Sequence, residues 1–293
     1  MSFSPSVRPP ASLTQTRRVA RKRNNHTPGR PPHLARAALS RYQGSSIPTI
    51  SPMKKRKHAR KSSLLASALG LLMFAAFAAQ ACGGIPAPTD ITIVTEDGFR
   101  LAATEYGKGN NGVVLAHDSD GSRADWSEFA NQLASRGMRV VAVTFRGFPG
   151  SDGVRDPQVM DRDLVGAARY LQKEKGVTKI AYVGAGMGGT VAFKAAANPE
   201  LQPAVVEVVS PFARYQTLDA ARSTIQLFMP KMVVESDGNK DALGAVQELF
   251  KTLPEPKRFE EVPGSAKGIA IINDPANEKL RSEMFDYLKK GFE

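Results

Sequence analysis

The chain has 293 residues and a formal net charge of +12, a basic excess that is typical of nucleic-acid-binding proteins when it is spread over the fold. Here it is not spread, because all 28 acidic residues follow position 81 and the first 81 residues hold 15 Lys and Arg. From Cys82 onward the net charge is −3, which argues against nucleic-acid binding, and the single cysteine excludes an internal disulfide framework.

The first 52 residues are rich in Arg, Pro, Ser and Thr and show no hydrophobic periodicity. Such a segment buries too little apolar surface to offset the entropy of the chain, so we expect a disordered basic tail. Because a signal peptide starts at its basic region, an alternative is that translation begins at Met53 and that residues 1–52 are a start-site artefact.

Residues 53–81 are predicted to be a signal peptide, with a basic region followed by an apolar run at 64–79 that is shorter than the ~20 residues of a spanning helix. The run ends in Ala-Ala-Gln-Ala-Cys, which resembles a bacterial lipobox and implies a lipid on Cys82. The predicted product is a membrane-anchored lipoprotein. Cleavage after Ala81 into a soluble periplasmic or secreted protein, and an uncleaved anchor, are alternatives, and all three export the domain.

After a linker at 82–89, short β-branched runs alternate with amphipathic helical patterns, which is typical of a mostly parallel sheet covered by helices on both faces. The turn dipeptide Asp97-Gly98 predicts an antiparallel N-terminal hairpin. The predicted strands are 92–95, 100–105, 113–117, 139–145, 179–183, 204–209, 232–235 and 258–262. The predicted helices are one between Trp126 and Gly137, then 159–175, 190–197, 217–227, 242–253 and a single final helix. We therefore predict one α/β domain over residues 90–293.

Three local sequences carry a family resemblance. They are VGAGMGG at 183–189 between a predicted strand and helix, LAHDSDG at 115–121, and FRGFPGSDG at 145–153. With the order of elements, they resemble the α/β-hydrolase superfamily, particularly its dienelactone-hydrolase-like and small esterase members, over about residues 90–292. The resemblance implies an α/β-hydrolase fold in which the first motif is the nucleophile turn, G-x-S-x-G.

In that motif Gly186 stands where the family has its serine, and glycine offers no atom that attacks a carbonyl. The stretch GSAKG at 264–268 is similar to the family's G-S-x-H-G, which assigns Lys267 to the position of the histidine base. His117 is the one histidine after position 81, and its predicted place on the third strand does not suit a base. The resemblance thus implies a degenerate catalytic triad.

The resemblance places the triad acid after the strand that ends near Glu235, at Asp237 or Asp241, and Asp241 suits a helix N-cap better. With no imidazole to orient, this carboxylate is a candidate partner for Lys267. The backbone N–H of Met187 and the stretch after His117 are implied to form the oxyanion hole. Asp118 stands there in place of a glycine, and it either points inward, opposing an anion, or caps a turn.

We therefore expect an inactive pseudo-hydrolase that serves as a binding or scaffold domain. The alternative is an active hydrolase of small esters or acyl compounds with a displaced nucleophile at Ser119, Ser210 or Ser265 and Lys267 as base.

We expect no cofactor. We also expect no metal, because the alternating Asp118 and Asp120 lack the remaining ligands of a calcium loop. The expected partners are a small molecule or protein at the cleft, and the membrane if Cys82 is lipidated, but no nucleic acid.

Overall fold

An eight-stranded sheet forms the centre of the protein in a computed structural model that describes residues 84–293. The predicted tail, the signal peptide and Cys82 lie outside the described residues. The sheet strands are β1 (Thr89–Val94), β2 (Arg100–Tyr106), β3 (Asn111–Ala116), β4 (Arg139–Val143), β5 (Lys179–Ala185), β6 (Val205–Val209), β9 (Lys231–Ser236) and β10 (Lys257–Val262), and a separate hairpin pairs β7 (Arg214–Tyr215) with β8 (Leu218–Asp219).

The strand order is β1-β2-β4-β3-β5-β6-β9-β10. β2 runs antiparallel to both β1 and β4, and every pair from β4 to β10 is parallel. The predicted N-terminal hairpin and mostly parallel sheet are therefore confirmed. All five residues of β6 are buried because helices cover both faces of the sheet. The carboxyl ends of β3, β5, β6 and β9 meet at one edge, where the chain leaves each strand in a loop.

Helices pack on both faces of the sheet, and the buried apolar side chains form two separate cores, one on each face. One core includes Leu164, Val191 and Leu249, and the other includes Phe129 and Met284. None of the helices described is long and apolar enough to span a bilayer. The helices are α1 (Ser127–Ser135), α2 (Asp161–Lys175), α3 (Met187–Ala196), α4 (Ala220–Thr224), α5 (Lys240–Thr252), α6 (Ile269–Asn273) and α7 (Glu278–Gly291).

Two predicted helices differ from the structure. The helix predicted at 217–227 is wrong, because the chain there forms the β7–β8 hairpin, with Gln216 at φ 50°, and then the short helix α4. The side chain of Asp219 accepts a hydrogen bond from the N–H of Ala221 and so caps α4 after the hairpin. The single final helix is divided into α6 and α7, because Pro275 has no N–H with which to continue α6.

Arg146 fixes the loop after β4 to two other parts of the chain. Its Nε donates to Oδ1 of Asp163 on α2 at 2.7 Å, and its Nη1 donates to Oδ2 of Asp97 in the β1–β2 turn at 2.8 Å. The hydrogen bonds from Arg146 hold the pKa of Asp97 well below its usual range. Because Arg146 and Asp163 are both buried, this network fixes the position of the loop at 145–153, the FRG loop, beside the sheet edge.

Candidate functional site

The turn between β5 and α3 is centred on Gly186, which has φ 52° and ψ −120°. Its N–H donates to the carbonyl oxygen of Val209 at 2.9 Å, and α3 begins at the next residue, Met187. Residues with a Cβ rarely adopt this backbone conformation, whereas glycine does so at little cost. The resemblance assigned the nucleophile to this position, and the sharp strand-to-helix turn that such a nucleophile requires is present.

The carboxylate of Asp118 occupies the space beside Gly186. A Cβ placed on Gly186 would lie 1.8 Å from Oδ2 of Asp118 and 2.0 Å from its Cγ. These distances are far below van der Waals contact, so a side chain at position 186 and the observed position of Asp118 exclude each other.

The same carboxylate accepts the hydrogen bond of the backbone N–H donor at the start of α3. Oδ1 of Asp118 accepts hydrogen bonds from the N–H of Met187 at 2.9 Å and from the N–H of Ser119 at 2.6 Å. The N–H of Met187 is the donor that the resemblance assigned to the oxyanion hole. Asp118 therefore points inward, and its negative charge stands where an oxyanion would bind.

A second glycine lies close to this carboxylate. Gly268, just before α6, has φ 53° and ψ −134°, and a Cβ on it would lie 3.1 Å from Oδ2 of Asp118. The sequence pattern treated Gly268 only as the end of a motif. Its contact with Asp118 follows from a backbone conformation that sequence spacing does not reveal.

The residues assigned to base and acid do not come together. Lys267 is exposed and forms no ion pair with any described residue. Oδ1 of Asp237 accepts a hydrogen bond from the N–H of Gly264 at 2.9 Å. The prediction of Asp241 as an N-cap is wrong, because Asn239 holds that position and Asp241 lies within the first turn of α5. The suggested ion pair of Lys267 with either aspartate does not form.

His117 is enclosed in the core at the end of β3. Its Nδ1–H donates to the carbonyl oxygen of Asp118 at 2.7 Å, and its Nε2 accepts from the N–H of Phe145 at 3.2 Å. Burial lowers the pKa of His117, and the rings of Phe145 and Phe148 pack edge-on against it. Because both ring nitrogens are already hydrogen-bonded to the backbone, His117 positions the Asp118 loop and does not face the cleft as a base.

Among the displaced-nucleophile candidates, Ser210 is the one whose hydroxyl donates a hydrogen bond to a carboxylate. It follows β6 with φ 48°, and its hydroxyl donates to Oε1 of Glu235 at 3.1 Å. The same hydroxyl accepts the N–H of Gly268 at 3.0 Å. Glu235 is fully buried on β9, and its Oε2 has no hydrogen-bond partner among the described residues. The sequence pattern did not single out Glu235, which reads as an ordinary strand residue.

A cleft of about 710 Å³ opens above these groups at the carboxyl edge of the sheet. Its charged lining side chains are Asp118, Asp120, Asp125, Arg214 and Lys267, and its apolar lining includes Phe212, Ala242, Val246 and Ile269. This volume suits a molecule of the size of a typical enzyme substrate or drug. The described residues contain no group of three or more His, Cys, Asp or Glu arranged to hold a metal ion.

Comparison with known proteins agrees with this architecture. The profile of the alpha/beta hydrolase fold family matches residues 111–269, which is more than half of the chain. The chain belongs to the α/β-hydrolase fold family. The match covers the segment from β3 to the start of α6, and it therefore includes both the Gly186 turn and the GSAKG stretch.

Individual proteins resemble this α/β-hydrolase-fold protein in sequence or in structure. An uncharacterized protein of Mycobacterium tuberculosis is 27% identical over 206 residues, which cover 61% of this chain and 72% of the relative. The Pyrococcus furiosus esterase Pf2001 superposes with a TM-score of 0.59 at 18% identity, over 70% of this chain and 90% of the esterase. A dienelactone hydrolase from Anabaena variabilis gives the same TM-score and identity, over 70% of this chain and 98% of that protein. At these identities the two structures show the fold alone.

Proposed function

We propose that this protein is an exported binding or scaffold protein on the α/β-hydrolase fold, without serine-hydrolase activity. The observation that supports this most is the position of the Asp118 carboxylate. It fills the volume of a nucleophile side chain at Gly186 and accepts the hydrogen bond from Met187 N–H. Serine-type acyl transfer needs an attacking oxygen, a base and an open oxyanion hole, and the Gly186 turn offers none of the three.

The charge of Asp118 also disfavours related mechanisms at this turn. An oxyanion that develops near Met187 would meet a carboxylate instead of a free N–H donor, and two like charges in a cleft repel each other. A water molecule or a displaced serine that attacked an ester here would lack this stabilisation, which typically contributes about 2.7–4 kcal/mol per donor.

One observation favours the alternative, an active hydrolase of small esters or acyl compounds. Ser210 has a strained backbone conformation and donates its hydroxyl hydrogen to the buried Glu235, as a nucleophile does to its base. The similar solved structures include an esterase and a dienelactone hydrolase. Against it, the Ser210 oxygen already accepts the N–H of Gly268, which draws electron density from the atom that would attack.

Ester turnover distinguishes the two functions. The full-length chain is compared on short p-nitrophenyl esters with a restored variant that combines Gly186→Ser, Asp118→Gly and Lys267→His. Asp118→Gly is included because the serine needs its space. We expect turnover only from the restored variant. Turnover by the natural chain that Ser210→Ala or Lys267→Ala abolishes would contradict our proposal and support the displaced nucleophile.

Export rests on the sequence pattern before the described residues. The basic region, the apolar run at 64–79 and the lipobox-like end at Cys82 support a lipoprotein anchor. In a bacterial host we expect incorporation of labelled palmitate and recovery in the membrane fraction, both lost in Cys82→Ser. Soluble recovery of the unlabelled natural protein outside the cytoplasm would instead support cleavage after Ala81.

A further inference from the structure

The carboxylate of Asp118 has one oxygen that is fixed and one that is available. Oδ1 is held by the N–H groups of Met187 and Ser119, whereas Oδ2 accepts no hydrogen bond from the described residues. Oδ2 lies 1.8 Å from where a Cβ on Gly186 would be and 3.1 Å from where a Cβ on Gly268 would be, and Asp118 lines the cleft. Asp118 also forms no ion pair with any Lys, Arg or His of residues 84–293. A pre-positioned hydrogen-bond acceptor therefore faces the cleft.

The rest of the cleft lining favours a cationic group near Asp118. Asp120 from the same loop and Asp125 from the short 3-10 helix that follows it add negative charge. Of the two lining cations, Arg214 is paired with Asp219 at 3.1 Å, which leaves Lys267 as the opposing charge among the described lining residues. An anionic ligand would meet these carboxylates while the Met187 N–H is already occupied.

The cleft also has apolar lining. The apolar part of the lining includes Phe212, Val246 and Ile269, and the cleft volume of about 710 Å³ exceeds what a small ion needs. Clefts of this size bind molecules whose apolar body is buried and whose few polar groups meet specific partners. One acceptor oxygen in a cleft with apolar lining fits a molecule with one donor group at its end.

We propose that the cleft binds an amine-bearing small molecule with an apolar body, whose ammonium group donates to Oδ2 of Asp118. This inference rests on the proposed function, because it requires that Asp118 stay beside Gly186 in the working protein. A primary ammonium group offers three N–H donors and a positive charge, and charge-assisted hydrogen bonds of this kind are the stronger ones in proteins.

Calorimetric titration of the full-length chain with 4-phenylbutylamine tests the proposal, with 4-phenylbutanol and 4-phenylbutyrate as matched neutral and anionic probes. We expect the amine to bind at least about tenfold more tightly than either, because only the amine forms a charge-assisted hydrogen bond with the carboxylate. Equal binding of all three probes, or no binding of the amine at millimolar concentration, would overturn the proposal.

Asp118→Asn is the matched variant. Its amide oxygen keeps the bonds to Met187 and Ser119, while its NH₂ group replaces the available oxygen. We expect it to weaken amine binding at least about tenfold, since an ammonium then meets a donor. The control Asp120→Asn removes an exposed carboxylate of the same loop and is expected to change binding by less than about threefold. Amine binding that persists in Asp118→Asn would refute the assignment.

A second variant does not depend on the folding of the Asp118 loop. Lys267 is exposed, so Lys267→Ala removes the opposing charge without disturbing the core. We expect it to strengthen amine binding about two- to fivefold at low ionic strength, with the gain lost in 1 M salt. Weaker binding in this variant would contradict the charge argument.

Ester turnover by the natural chain would overturn the proposed function, whereas failure of amine binding alone would overturn only the ligand class.

Discussion

Asp118 and the residue at position 186 compete for one volume at the turn between β5 and α3. Gly186→Ala is expected to lower the free energy of unfolding by about 1–3 kcal/mol through backbone strain and by about 1–3 kcal/mol more through the clash with Asp118. In an Asp118→Gly background only the strain remains. Urea unfolding followed by the fluorescence of Trp126, the single tryptophan, measures both values.

Gly176 provides the matched control for this double-mutant cycle. It has φ 67° at the end of α2, and a Cβ on it would meet no atom within 4 Å. Gly176→Ala is therefore expected to show the conformational cost with no dependence on Asp118. Additive effects of Gly186→Ala and Asp118→Gly would mean that the two side chains do not share a volume.

Sequence spacing could place single residues near the site but not orient them. The motifs assigned Gly186 and Lys267 to the positions of nucleophile and base because motif spacing is local. The inward direction of Asp118 depends on Met187, which is 69 residues away, and on two glycines with positive φ. The contact of Ser210 with Glu235 likewise joins the loop after β6 to β9, 25 residues further along the chain, and no local pattern predicts it.

The FRG loop depends on a buried charge network between elements. Arg146→Met is expected to lower the free energy of unfolding by about 3–5 kcal/mol, because the buried Asp163 loses its charged partner and keeps only the backbone N–H of residue 146. Replacing Asp163 as well, in Arg146→Met/Asp163→Leu, is expected to recover most of the loss. Chemical denaturation of the three proteins measures this.

Lys251→Met serves as the control, since Lys251 pairs with Glu248 across two exposed side chains on α5. Exposed pairs contribute at most about 1 kcal/mol, so this change should be nearly neutral. An Arg146→Met variant as stable as Lys251→Met would show that the buried network does not hold the loop.

Most elements were predictable because buried parallel strands are short apolar runs between turn residues. The prediction failed at 217–227, where the second half of a hairpin that spans 214–219 precedes a helix of five residues. A short stretch of mixed polar and apolar residues fits both a helical and a strand pattern. The β7–β8 pairing and the Asp219 cap favour a hairpin followed by a short helix.

The contribution of Glu207 to the stability of the protein should become less favourable as the pH rises above the ordinary glutamate range. Glu207 on β6 is fully buried with no hydrogen-bond partner for either carboxyl oxygen among the described residues, and burial raises its pKa well above 4.5. Above pH 4.5 the unfolded chain loses this proton while the folded protein keeps it. Folding is therefore disfavoured by up to about 1.4 kcal/mol per pH unit until the pKa of the folded state is reached.

Glu207→Gln removes this titration. We expect the variant to be more stable than the natural chain, with a difference that grows between pH 5 and pH 8 in denaturant unfolding. Glu174→Gln, at an exposed position on α2, is the control and should leave the pH profile unchanged. A difference between Glu207→Gln and the natural chain that stays constant with pH would contradict the assignment of a buried, protonated Glu207.

Our central claim is that Asp118 fills the space of the family's nucleophile and that the protein has no serine-hydrolase activity. Fluorophosphonate labelling of the full-length chain, with mass mapping of any modified serine, tests it most directly. We predict no folding-dependent label on the natural chain and a label at position 186 in the restored variant. A folding-dependent label on the natural chain, at Ser210 or at any other serine, would contradict the account and identify the nucleophile that it denies.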